Sequence, residues 1–556
     1  MEPEASTFAL RRERNSAAFL NYLPEELVSS IFLSVIALER LSRHPDAYHH
    51  FEAPPAISSL FGITHICHRL RTIAIRLPFL WTTLNSRMPQ DLVDLFVQRS
   101  AGLPFRVYFR VGRQLPVGSP LPVFSCINVS RIQELFLTIT VDYHHHLLPH
   151  DNVLLPLSPT LTYLNLVREG FFSPRIQTPE IFPGRRNILV ALAFSLQVTP
   201  PPRDYFPCLA HLRIAGMKHM DGSGTINSSD LLRLLANTPS LETLYVIEAE
   251  IVWDGMSPVT TTETVRLERL RVLCFYDQRL DAILNTLSCL ALNPDMTLQL
   301  HRIRYLDSTT PQLATLPPLG ELTHLEIASE GEHYHIRAFG PDCGVWFHFH
   351  SDFFSQVIHG ANTSEDVLAC MADKLGPSLR RVHTLRIATD GHTHLIVSFL
   401  RRTSPLLPTL DTLLVASENA DGLSFAAALG AALLPGEPPL SIPSPTLQKL
   451  HVQVYRPIAR HAPIEWMLDT RVRLGHPIPE VLLSIGRRDE VFDTAPAGEH
   501  AEMNNVLSWD PRSDPFWLIE TPYWPLYPPE RDMDWLWGLP RLKWDSVCPV
   551  SSINSV

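Results

Sequence analysis

The sequence predicts an α/β protein: a short all-helical module at the N-terminus, then a long series of strand–helix units with parallel strands on one face and helices on the other. Three observations predict it. An L-x-x-L-x-[LIV] pattern recurs from Ile132 to Val452. Helical stretches between its copies end at proline breaks just before the next copy. Residues 20–100 carry apolar residues at helical spacing and read as a distinct module.

Composition sets the outer bounds. A chain of 556 residues has room for roughly three or four domains of about 100–200 residues each. Hydrophobic residues make up 45% and charged residues 19%, which excludes a largely disordered chain. With 46 basic and 57 acidic residues the net charge is −11, so the basic footprint of a nucleic-acid binder is absent. Residues 1–19 read as a flexible N-terminus without the apolar core of a secretory signal. The longest apolar stretches, 31–38 and 425–434, fall short of the ~20 residues a spanning helix needs, so no membrane partner is expected. Eight scattered cysteines without a C-x-x-C pair read as reduced, mostly buried thiols of a cytoplasmic or nuclear protein.

Residues 20–100 come first. Pro24 suits the start of a helix, where its missing N–H costs nothing, and Glu25 and Glu26 suit the dipole of the first turn. Leu23, Leu27, Ile31 and Val35 follow at a spacing of four, with Phe32 beside them, which predicts an apolar stripe. The polar stretch after it predicts a loop insertion at 42–60. A second helix is expected over 63–74, stopping before Pro78, and a third over 90–99, ending at Gly102. Trp81 reads as core of this module.

The pieces L-P-E-E-L at 23–27, I-F at 31–32, I-C-H-R-L-R-T-I-A at 66–74 and P-F-L-W at 78–81 occur in that order. Together they resemble the F-box, in the form abundant in mushroom-forming fungi, and residues 92–107 are similar to the helix-then-strand found after it there. Leu70 stands where the family often has Trp, and the gap between Leu38 and Ile63 is longer than in a minimal F-box. The resemblance implies a Skp1 adaptor as partner, and through it a cullin. It implies contacts from Leu23, Pro24, Leu27 and Ile31, with Cys67 and Leu70 from the second segment. The alternative is that the stripe packs inside the chain as an N-terminal cap on the neighbouring domain.

The repeats fill 101–485. Copies start at Ile132, Leu161, Leu209, Leu241, Leu267, Leu322, Val382, Leu410 and Leu447, separated by 26 to 60 residues. Strand-like runs at 188–192, 297–300 and 345–349 fall in the long gaps and bring most intervals toward ~20–35 residues, the period of a solenoid. Residues two apart share a strand face, so the last two apolar positions point inward and the first leucine packs from the approach. Helices are expected at 229–236, 281–290, 364–375, 394–402 and 423–434. Strand–helix alternation of this length needs parallel strands. The whole is similar to an irregular leucine-rich-repeat domain, though the family's Asn or Cys ladder is replaced by residues such as Thr140, Ala249 and Phe275. An ordinary α/β domain with leucine-led strands is the alternative. Residues 486–556 hold Trp509, Trp517, Trp524, Trp535, Trp537 and Trp544, which predicts a C-terminal cap on the solenoid or an aromatic recognition surface.

Signatures of chemistry are missing. No H-E-x-x-H, G-x-S-x-G or phosphate loop occurs. His144, His145, His146 and His150, the set His333, His335, His348 and His350, and the pair His392 and His394 cluster as 25 histidines would by chance. We therefore expect no catalytic residue, no metal site and no cofactor. The expected function is the substrate-recognition subunit of an SCF-type ubiquitin ligase: non-catalytic, bound to Skp1 by its N-terminal helices and to a target protein by its repeats. A scaffold unconnected to ubiquitin ligation is the alternative, and a zinc hydrolase built on the histidine clusters is a third reading.

Overall fold

The computed structural model describes residues 22–42, 55–86, 88–111, 128–140, 160–169, 188–196, 201–216, 224–253, 264–303, 319–330, 333–341, 343–350, 376–389, 399–401, 403–417, 422–435, 442–454 and 462–485. The predicted flexible N-terminus, the Trp-rich C-terminal segment and the helix at 364–375 lie outside them. The chain is mixed α/β with mostly parallel strand pairing, and no sheet closes on itself. It divides at Leu209/Ala210 into two compact units.

The first unit opens with helices α1 (Glu25–Ser42), α2 (Pro55–Ile66) and α3 (His68–Arg76) and a short 3-10 turn at Pro78–Trp81. The predicted loop at 42–60 is therefore too long: helix resumes at Pro55, a residue preset for a first turn. The single helix expected over 63–74 is two. Cys67 is extended (φ −155, ψ 166) and its sulfur accepts the Leu70 N–H at 3.5 Å, capping α3. Leu77 precedes a proline and is extended, which ends α3. The predicted helix over 90–99 is α4 (Gln90–Arg99), closed by left-handed Ala101 and Gly102.

Strand β1 (Thr83–Asn85) pairs in parallel with β2 (Phe105–Val111), so sheet formation begins inside the module expected to be all helical. The cause is the spacing of Trp81 and Leu84, which matches the first two positions of the repeat. Next come β3 (Ile132–Thr140), β4 (Tyr163–Glu169) and β5 (Ala191–Ser195), each parallel to the one before. Leu84, Val107, Leu135, Leu164 and Leu192 stand in one lateral row, each at most 2% exposed. Burial of each such side chain contributes about 1.5–3 kcal/mol.

The second unit holds the main strands β6 (His211–Ala215), β8 (Thr243–Ile247), β11 (Val272–Tyr276), β13 (Thr297–His301), β14 (His324–Glu330), β15 (His333–Phe339), β16 (Gly344–His350), β17 (Thr384–Thr389), β18 (Thr412–Ser417), β19 (Lys449–Val454) and β20 (Glu480–Ile485). Short strands β7 (Thr225–Asn227) with β9 (Glu250–Val252), and β10 (Val265–Leu267) with β12 (Leu290–Leu292), form two small separate ladders. Helices α5 (Ser228–Ala236), α6 (Leu280–Ser288) and α7 (Gly422–Leu433) come after strands as expected, within two residues of the predicted bounds, and α8 (Ala462–Arg473) is a further helix that no predicted range covers. The row Leu212, Leu244, Leu273, Leu298, Val345 is at most 1% exposed. This register corrects one repeat. Leu273 and Phe275, not Leu270 and Val272, pair with Leu244 and Val246, because Leu267 belongs to β10. The true triad is Leu270, Leu273 and Phe275.

Parallel order also breaks once. The lateral order runs β13-β16-β15-β14-β17, and β15 is antiparallel to both neighbours. This meander accounts for the 60-residue gap between Leu322 and Val382. Glu330 pairs with His333 where the two antiparallel strands meet. At the other end Gly340 donates its N–H to Cys343 O at 2.9 Å, and a Cβ there would overlap the Glu321 carbonyl.

Two devices recur at the strand ends. Glu248, Asp277 and Arg302 all turn left-handed (φ 51, 56 and 48) two residues past the last apolar position. The N–H groups of Glu248 and Asp277 reach the next strand at Tyr276 O and His301 O, 2.9 and 2.8 Å away. At the opposite end, Thr160, Thr409 and Thr446 each precede a first-position leucine. Each hydroxyl donates to the carbonyl of the preceding unit's first position, at Ile132, Val382 and Leu410, over 2.8–3.2 Å. All three lie in P-T-L-x-x-L, a signature readable in the sequence. Thr446→Val keeps the shape and removes the hydroxyl; we expect a loss of about 1 kcal/mol, read as a lowered unfolding midpoint in urea.

Candidate functional site

The surface of the N-terminal helices is the candidate site. Helix α1 starts where Pro24 O accepts the Val28 N–H at 3.1 Å, with two glutamates in its first turn. It carries two adjacent apolar stripes. Val28 and Phe32 are buried at 1% and 4%, and they turn inward. Leu27 and Ile31, one residue earlier in each turn, are 52% and 41% exposed. Leu33 and Val35 are exposed as well, as are Tyr22 before the helix, Ile66 at the end of α2 and Ile75 on α3. The helices packed against α1 cover the Val28 and Phe32 stripe and leave Leu27 and Ile31 exposed.

Beneath that surface the packing is dense. Leu60, Ile63, Leu70, Ile73 and Ala74 are buried. Arg69 donates to Leu23 O at 2.6 Å, tying the start of α1 to α3 across 46 residues of sequence. Arg71 donates to Thr64 O at 2.7 Å and braces α3 against α2. Trp81 is core, as its place predicts: its ring is 1% exposed, its N–H reaches Ala74 O at 2.9 Å, and Phe96 meets it edge-on at 5.0 Å.

The six residues the F-box resemblance names divide accordingly. Leu23, Pro24, Leu27 and Ile31 are part or fully exposed, and the Arg69 bond brings Leu23 alongside the start of α3. Cys67 is half-buried there and serves as the cap of α3. Leu70 is 3% exposed and packs inward with Ile73 and Ala74. Leu33, Ile66 and Ile75 lie off the four-residue stripe and are not legible from its spacing; the turn that exposes Ile66 and Ile75 depends on the break at Cys67.

Five cysteines are described and all are free thiols: Cys274 and Cys343 buried, Cys67 and Cys289 half-buried, Cys208 exposed. The expectation of mostly buried thiols thus holds for only part of them. Among the described side chains no group of three or more His, Cys, Asp or Glu could hold a metal ion. Among the described residues no helix is long and apolar enough to cross a membrane. His144, His145, His146, His150, His392 and His394 lie outside the described residues. No protein-family model matches the chain, and no curated protein matches it.

Proposed function

We propose that this protein is the substrate-recognition subunit of an SCF-type ubiquitin ligase. Its N-terminal helices dock on a Skp1-like adaptor and through it on a cullin, while the strand–helix ladder, similar to an irregular leucine-rich repeat, holds a target protein. The role is non-catalytic: held geometry raises the local concentration of the target's lysines near ubiquitin carried by other subunits. One observation carries it. Leu27 and Ile31 stand uncovered on a helix whose Val28 and Phe32 are fully packed, so an apolar stripe is left for a partner. Pro24 and half-exposed Leu23 and Cys67 border the same surface.

Co-purification of the full chain with Skp1 tests it. The native chain is expected to form a stoichiometric complex. Leu27→Ser with Ile31→Ser alters exposed positions only, so the fold is retained while affinity falls by about 100-fold or more, from ~1.5–3 kcal/mol per buried side chain. Absence of any complex with the native chain refutes the ligase reading and leaves a binding scaffold. Partners kept by the double variant are candidate targets.

A further inference from the structure

Helix α8 lies between β19 and β20 in the chain, and β20 ends the strand order of the ladder. One side of α8 is packed. Ile464, Met467 and Arg471 are at most 1% exposed, and Gly430 of α7 lies against Pro463 and Met467. The opposite side is open. Trp466 is 57% exposed and Val472 59%, and Glu465, Asp469 and Arg473 are exposed with them. At 3.6 residues per turn these five fall within an arc of about 120°, with Asp469 at its centre both around the helix and along it. Leu474, just past the last turn, is 45% exposed. The arc has a symmetric order. Trp466 and Val472 stand equally far before and after Asp469, and so do Glu465 and Arg473. An acid and an aromatic ring mark one end, an aliphatic side chain and a cation the other.

We propose that this face of α8 pairs with the same face of a second copy of the chain, antiparallel about a two-fold axis at Asp469. A two-fold contact requires a patch that complements itself. The axis brings Trp466 level with Val472 of the second copy, and Glu465 level with Arg473. Apolar surface then meets apolar surface, and acid meets cation, at both ends of the contact. Trp and Arg are the residue types that anchor interfaces, and both stand open here. The Arg473 Nη2 donates to Thr470 Oγ1 at 3.0 Å and its Nε to Asp469 O at 3.4 Å, which leaves the remaining donors of the guanidinium for the acid. The two Asp469 carboxylates meet at the axis, and their repulsion weakens the pair. Three turns of helix make a small interface beside the standard ~1,200–2,000 Å², so the expected dissociation constant is on the order of 10 μM.

Sedimentation velocity of the full chain, from about 1 to about 200 μM, tests it. A reversible monomer–dimer equilibrium is expected, with hydrogen exchange in residues 462–473 slowing as concentration rises. Trp466→Ser with Val472→Ser should weaken the dimer by about 100-fold or more. Glu465→Arg alone and Arg473→Glu alone should each weaken it by about 10-fold, and the two together should restore it, a recovery that a role within one chain would not give. Asp469→Asn should tighten it by about 3–10-fold. Should the serine variant fail to fold, the charge exchange decides. A chain that stays monomeric throughout overturns the proposal, whether α8 exchanges freely or is protected by the chain's own residues beyond Ile485. A dimer indifferent to the serine pair or to the single charge reversals, or one that the paired exchange fails to restore, uses another surface and overturns it as well. None of these outcomes bears on Skp1 binding, which uses other residues.

Discussion

Arg471→Ala is expected to cost about 3–5 kcal/mol in the second unit. Arg471, on α8, is fully buried. Its guanidinium donates to four carbonyls: Leu433 at 3.0 Å, Pro443 at 2.9 Å, Ser444 at 2.9 Å and His476 at 3.2 Å. Leu433 is the last residue of α7, so the cation also meets the negative end of that helix. Ser444 is left-handed (φ 46) without being glycine, and it is held from the other side by its N–H bond to Ser404 Oγ at 2.8 Å. Removing the guanidinium leaves buried acceptors without donors and frees a strained loop that leads into β19. Arg471→Lys restores one or two of the four bonds and should recover part of the loss. Thermal melting reports the total. Hydrogen exchange places it: protection should fall first in residues 442–454, and an unchanged melt for Arg471→Ala would remove this role.

Trp81→Ala is expected to cost a similar ~3–5 kcal/mol in the first unit. The ring fills the junction of α3, α4 and β1, edge-on to Phe96, with the Arg99 guanidinium 4.3 Å over its other side. Its N–H joins the Leu77 N–H, 3.3 Å away, on the Ala74 carbonyl at the end of α3, where Pro78 has no N–H to continue the helix. Trp81→Phe keeps much of the packing and loses that bond, so a loss of ~1–2 kcal/mol is expected from it. The two variants separate packing from hydrogen bonding when their melting temperatures are compared with the native chain's. If the chain is a ligase subunit, both should leave Skp1 affinity nearly intact below their melting points, because Trp81 lies under the exposed stripe and not in it.

Particular residues show how far the sequence can be read. Helix α4, its stop at Gly102 and the strand led by Leu241 follow from local signals: a capping geometry, a residue free to turn left-handed, and a period of two. The break at Cys67 is hidden because no Gly or Pro marks it, and the cap is a bond to sulfur that composition does not announce. The choice between Leu267, Leu270, Val272 and Leu270, Leu273, Phe275 cannot be made locally, since both sets are apolar at the repeat spacing; pairing of Leu273 with Leu244 selects the second. At the candidate site, Leu27 and Val28 are equally apolar and adjacent in sequence, so nothing local tells which one packs.

The sequence by itself determined the alternation of strand and helix, the leucine rows, and an N-terminal module of different character, because each depends on burial periodicity within a few turns of chain. Only the tertiary structure decided that β14, β15 and β16 run in reversed lateral order, that Leu70 is core, and that Leu27 and Ile31 stay uncovered. Strand order, register and coverage are settled by residues far apart in the chain, where the free energy of pairing and packing chooses among patterns that local spacing leaves equal.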